Sequence, residues 1–201
     1  MGATVLHEDA IFPVRAAGIP VNIKNTNCPQ DRGTMIVSET AEPCEHIITG
    51  IAGKKGMSVI NIEKDKMNSE VGFGRNVLRA LEKSNVSFEH MPSGVATLSV
   101  VIQTDKLAGK ETTILDEIRS RVHPDQLYIE SNLALIAVVG RGMKSARGTA
   151  AILFTALADA RVNIKMIDQG SSELNIIIGV AEEDFEVAMK AIYNAFIKVK
   201  K

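Results

Sequence analysis

The residues best placed to do chemistry fall in two stretches, 67–74 and 87–89. The first joins an apolar, strand-like run to a helical one. A helix N-terminus presents unpaired N–H groups and partial positive charge, which suits a carboxylate. Gly72 and Gly74 let the backbone approach a ligand closely. Ser87 and Glu89 belong to the next strand-like run, and the Glu89 side chain suits an ammonium group. A charge-assisted hydrogen bond of that kind is worth about 1.5–3 kcal/mol. Together the two stretches could read both ends of an amino acid. A plainer explanation stands beside this one: Gly72 caps a turn and Glu89 is a solvated strand residue.

Other candidates carry less. Gly140-Arg141-Gly142-Met143-Lys144-Ser145 follows a strand and precedes a helix, but Ser145 stands where a dinucleotide fingerprint needs its third glycine. Gly53-Lys54 lacks the spacing of a phosphate-binding loop. His7, His46, His90 and His123 form no i, i+4 ligand pair, and Cys28 and Cys44 match no metal spacing. No catalytic residue and no metal site are therefore nominated.

Composition sets the frame. The chain has 201 residues, 45% apolar and 23% charged, as in an ordinary soluble globular protein. A net charge of −1 gives no broad attraction to nucleic acid or to a membrane surface. No apolar run reaches the roughly 18 residues of a membrane span. The N-terminus does not read as a signal peptide, and the thiols match no disulfide framework, so a cytoplasmic location is expected. The tail 198–201 reads as a solvated basic end.

The elements that must position the candidates follow from periodicity. Residues 9–17 read as a helix stopped by Gly18-Ile19-Pro20; 21–23 and 34–37 read as strands around a turn-rich stretch, and 38–43 as a linker. Two short strands, 47–52 and 57–62, are then expected on either side of Gly53-Lys54-Lys55-Gly56. Further along come helix 71–83, strands 86–91 and 96–102, helix 110–122 and strand 126–129. The order begins again with strand 133–139, helix 147–160, strands 162–167 and 174–180, and helix 182–197. Met67 answers to Met143, Gly72 to Gly148, Leu81 to Leu157, Val86 to Val162 and Gly94 to Gly170, all at one offset of 76 residues. This is an internal repeat. Each unit reads β-α-β-β-α-β, the split βαβ of the ferredoxin-like fold. The second unit lacks a last strand while 47–52 stands unused, so the first unit is expected to be inserted within the second.

Several stretches resemble aspartate kinases. Val5-Leu6-His7, Gly18-Ile19-Pro20-Val21, Asn25-Thr26-Asn27-Cys28-Pro29 and Gly33-Thr34-Met35-Ile36 resemble the end of their catalytic domain. Phe88-Glu89-His90-Met91-Pro92-Ser93-Gly94 resembles their first ACT module, and Met143-Lys144-Ser145 through Gln169-Gly170-Ser171-Ser172-Glu173 the second. The resemblance implies an α+β fold of two ferredoxin-like ACT modules, one nested in the other. Residues 1–40 would be a remnant of the kinase domain, 54–130 the first module, and 44–53 with 131–201 the second. The family phosphorylates aspartate with ATP and Mg and is inhibited by pathway end products.

By similarity, a lysine-type effector site would use Met67, Glu70, Gly72, Phe73, Gly74, Ser87, Phe88, Glu89 and Ser93. Lys144, Ser145, Gly148, Thr149, Asn163 and Gln169 would form a second effector site or a dimer contact. Glu70 stands where the family has a small polar residue, and the family's Lys-Phe-Gly-Gly phosphoryl-transfer motif is nowhere in the chain. The expected role is regulatory: no cofactor for this chain, an amino-acid effector with lysine leading, a homodimer through the ACT modules, and a catalytic domain or subunit as partner. The alternative is a ligand-free pairing module that serves only assembly.

Overall fold

The computed structural model describes residues 8–37, 46–144 and 146–197. The expected linker at 38–43, the tail 198–201, Val5-Leu6-His7 and Ser145 lie outside them. Helix α1 (Glu8–Ala16) ends at Gly18, whose φ of 68° takes it out of the helix. Strands β1 (Val21–Ile23) and β2 (Thr34–Ile36) pair antiparallel, with Val21 opposite Ile36. The turn between them is fixed locally: Asn27 N–H donates to Asn25 Oδ1 at 3.0 Å. Phe12, Ile19, Met35 and Val37 leave apolar surface exposed on this small lobe.

The remaining strands form one five-stranded antiparallel sheet, ordered β4-β3-β5-β7-β6. They are β3 (Gly50–Glu63), β4 (Thr97–Gln103), β5 (Gln126–Val139), β6 (Ile164–Asp168) and β7 (Asn175–Ala181). Two expectations are corrected here. The expected strands 47–52 and 57–62 are one continuous strand that begins only at Gly50, and 126–129 and 133–139 are likewise one strand. Gly53-Lys54-Lys55-Gly56 shifts the register between Lys54 and Met57 instead of ending the strand, with Gly56 at φ 73°. Opposite it, Ser131-Asn132 absorbs the same irregularity, with Asn132 at φ 59°. The fully buried Ser58 lies in this bend, and its Oγ sits 2.9 Å from both Thr104 Oγ1 and Ser131 Oγ.

Each half of the ribbon serves one repeat unit. Gly50 to Gly53 pair with Ile136 to Val139, giving the second unit its fourth strand, while Val59 to Glu63 pair with Gln126 to Glu130. Helices α2 (Phe73–Lys83) and α4 (Glu111–Val122) cover the first half. Ile60, Ile62, Val100 and Ile102 pack there against Val77, Leu81, Ile114 and Ile118. Helices α5 (Thr149–Asp159) and α6 (Phe185–Ile197) cover the second, where Ile136, Val138, Ile176 and Ile178 meet Leu153, Leu157 and Ile192. Beyond the turn at Gly94 the repeat offset grows by two residues, so that Leu98, Val100 and Ile102 answer to Ile176, Ile178 and Val180. A one-turn helix, α3 (Thr104–Leu107), was not anticipated.

The faces turned away from the helices pack on each other. Val59 and Val101 of the first half join Leu133, Leu135 and Met166 of the second in a third apolar cluster. A bulge between Ile164 and Met166 turns Met166 to that side, against Gly179. His90 Nε2, buried and without a hydrogen bond, lies 3.4 Å from Asp168 Oδ2 across this seam, near enough for an ion pair but not aligned as a hydrogen bond.

Candidate functional site

Helix α2 begins at Phe73, not at 71 as expected. Gly72 before it has φ 84°, a left-handed conformation that excludes most side chains, and Val71 is wholly exposed rather than on the buried face. The same device recurs at Gly148, φ 85°, before α5. Asn85 and Arg161, also one repeat apart, both carry positive φ after their helices. The two units thus share backbone detail as well as order.

The expected strand 86–91 is not a regular strand. It runs beside β4 through Glu89 N–H to Val101 O (2.8 Å), Val101 N–H to His90 O (2.8 Å) and Ser99 N–H to Pro92 O (3.0 Å), with bridges His90–Val101 and Ser93–Leu98. Glu89 and His90 both face Val101, which is a bulge, and Pro92 has no N–H to give. The segment is nevertheless the outer rank of the first half, beyond β4.

This placement separates the nominated residues. Loop 67–72 leaves β3 at Glu63, which pairs with Thr97, so it lies at the Ser93 end of the segment. Ser87 and Glu89 lie at the other end, level with Val101 to Gln103. At ~3.3 Å per residue, Glu89 and Ser93 are about 13 Å apart. Within one chain, therefore, the loop and Glu89 do not meet. Met67 and Phe73 are buried in the first core. Gly74 is half-buried, with nothing within 4 Å of where a Cβ would stand, and Ser87, Phe88 and Ser93 are exposed.

Both nominated carboxylates already have partners from the chain. Glu70 accepts a short hydrogen bond from Lys64 Nζ, which also donates to Val122 O at 2.5 Å and lies 5.8 Å from the Phe73 ring centroid. Glu89 accepts from Gln103 Nε2, with Lys54 Nζ 3.5 Å and Lys106 Nζ 3.9 Å away. The Gln103 hydrogen bond, aided by the two lysine charges, holds the Glu89 carboxyl below its ordinary value, against the opposing effect of partial burial. Lys54, Lys64, Gln103 and Lys106 were missed in the sequence, because strand pairing and bends, not spacing, bring them to the carboxylates.

In the second unit, Gly148, Thr149 and Gln169 line one open cleft with Met143, Arg147 and Glu173. Thr149 is buried and its Oγ1 donates to Ala146 O at 3.1 Å, which ties down the loop. Lys144 and Asn163 are exposed and do not line that cleft. Among the described residues no group of three His, Cys, Asp or Glu could hold a metal ion, and no helix is long and apolar enough to cross a membrane.

Residues 136–196 match the family model of the ACT domain. Aspartokinase 3 of Bacillus subtilis is 40% identical over 196 residues, 97% of this chain and 43% of that protein. The chain is homologous to aspartokinase C-terminal regulatory regions. Among solved structures, the aspartate kinase of Clostridium acetobutylicum superposes with a TM-score of 0.88 at 57% identity, covering 96% of this chain and 45% of that one. The E. coli aspartokinase III complex with lysine and aspartate gives a TM-score of 0.73 at 25% identity, covering 96% of this chain and 42% of that one. The chain thus spans less than half the length of these aspartokinases. The ferredoxin-like sheets and the tandem repeat agree with their ACT regions, and the homology supports a regulatory role.

Proposed function

We propose that this chain is the effector-sensing part of an aspartate kinase, which phosphorylates aspartate with ATP and Mg through a catalytic domain or subunit outside residues 1–201. The chain itself carries no kinase site and works by binding an end-product amino acid, lysine first. The observation that carries this reading is homology along 97% of the chain to an aspartokinase, over a fold whose two units repeat the same glycine-opened helix. The Clostridium relative is described as an allosteric enzyme, and the E. coli one was solved with lysine bound.

The effector site of the first unit is completed by a second copy. Segment 86–93 is the open edge of the first half-sheet, and an unpaired edge is a template for pairing. Antiparallel pairing about a two-fold axis sets the Glu89 end of one copy beside the Ser93 end and loop 67–74 of the other. An amino acid at that seam would meet the Gly72–Gly74 backbone of one copy and Ser87 and Glu89 of its partner. Occupied seams favour one arrangement of the pair, and the catalytic partner reads out that shift.

Isothermal titration of the chain with lysine, threonine, methionine and diaminopimelate tests this. Saturable binding of lysine, lost in Glu89→Gln, is expected. Heat from none of the four would favour the ligand-free pairing module, a reading consistent with Glu70 and Glu89 being already partnered within the chain.

A further inference from the structure

We infer that Lys106 is a built-in competitor for the ammonium position between Ser87 and Glu89, so that an effector binds by displacing it and Lys106 sets the affinity of the site. The inference rests on the proposed role of Ser87 and Glu89 as effector contacts. Lys106 Nζ donates to Ser87 Oγ at 3.1 Å and stands 3.9 Å from Glu89 Oε1. It therefore fills the gap between the two groups proposed to receive an effector's ammonium. The position is a product of topology: α3 turns directly off the end of β4, and β4 is the strand along which 86–93 runs.

The contacts leave Lys106 free to swing away. Its side chain is 42% exposed, its contact to Glu89 is long at 3.9 Å, its one hydrogen bond is to the exposed Ser87, and Glu89 keeps Gln103 and Lys54 when Lys106 departs. Lys64 makes an instructive contrast. It too supplies an ammonium to a nominated carboxylate, but it is 22% exposed and held by Glu70, the Val122 carbonyl and the Phe73 ring. Lys64 reads as a fixed strut of the loop, and Lys106 as the movable occupant. An incoming ammonium cannot bridge Ser87 and Glu89 while Lys106 Nζ occupies that place, and like charge adds to the exclusion; Lys54, which contacts Glu89 but not Ser87, leaves the gap open. A ligand bearing positive charge must expel it into water.

The test compares titrations of lysine into the unmodified chain, Lys106→Met and Lys83→Met. Lys83 pairs with Glu117 on the helix side, away from Glu89, and controls for the change in net charge. The expected result is lysine affinity raised about two- to fivefold by Lys106→Met, the scale of one exposed ion pair, and unchanged by Lys83→Met. Equal or weaker affinity in Lys106→Met, beside measurable binding by the unmodified chain, would overturn the competitor role and leave the effector reading standing. Equal gains in both variants would also overturn it, as an effect of net charge alone. No binding in any of the three would bring down the inference together with the reading beneath it.

Discussion

The Glu89 carboxylate accepts a hydrogen bond from Gln103 and lies within 4 Å of two lysine ammoniums. Its folded-state pKa is depressed, so the linkage has one sign. These contacts stabilise the fold above the ordinary value of 4.5, and the contribution is lost as pH falls through the lower, folded value. Carboxyl-resolved NMR titration is expected to place the Glu89 midpoint below 4.5; a midpoint at or above it would contradict the contacts described. Glu89 thus stays ionised at neutral pH and available to an ammonium. Ser87 and Glu89 could be nominated from the sequence as polar residues in a strand-like run. Their partners were not, since Gln103 and Lys106 reach them only after β4 folds back along 86–93.

At the scale of elements, helices were read well and strands less well. Apolar spacing at 3.6 residues marks α2, α4, α5 and α6, and none of their boundaries moved by more than three residues. Gly53-Lys54-Lys55-Gly56 and Ser131-Asn132 have turn composition, but the structure uses them as paired irregularities that bend two long strands. Composition alone does not tell a bulge from a turn, because both need residues that accept positive φ. The repeat gives the clearest element-scale predictions. Gly72→Ala and Gly148→Ala each place a Cβ on a left-handed residue, at a cost of about 1–2 kcal/mol in chemical denaturation. Leu81→Ala and Leu157→Ala, equivalent and almost fully buried, should each cost roughly 2–5 kcal/mol. A cost in one unit without its counterpart in the other would show that the two cores are not equivalent.

At the scale of the molecule, the units are not independent beads. Strands β3 and β5 run through both, and the cluster of Val59, Val101, Leu133, Leu135 and Met166 packs their inner faces together. One unit cannot unfold without tearing a strand of the other, so calorimetry should record a single transition for residues 46–197; two resolved transitions would contradict this coupling. Counting strands led to the expectation of an inserted order, whereas the face-to-face packing had no signal in the sequence, since alternating apolar residues do not state which sheet they will meet. The exposed edge at 86–93 then leaves one route by which loop 67–74 and Glu89 come together, through a second copy.

The most direct test of that account is a mixing experiment read by titration with lysine. Gly74→Phe blocks the loop with a side chain whose Cβ meets nothing within 4 Å, and Glu89→Gln removes the carboxylate. Each variant alone is expected not to bind. If the site spans two copies, mixing and re-equilibrating the variants yields hybrid pairs with one intact site, restoring about a quarter of the unmodified capacity. A mixture as silent as its components would place loop and carboxylate in separate functions and contradict the account.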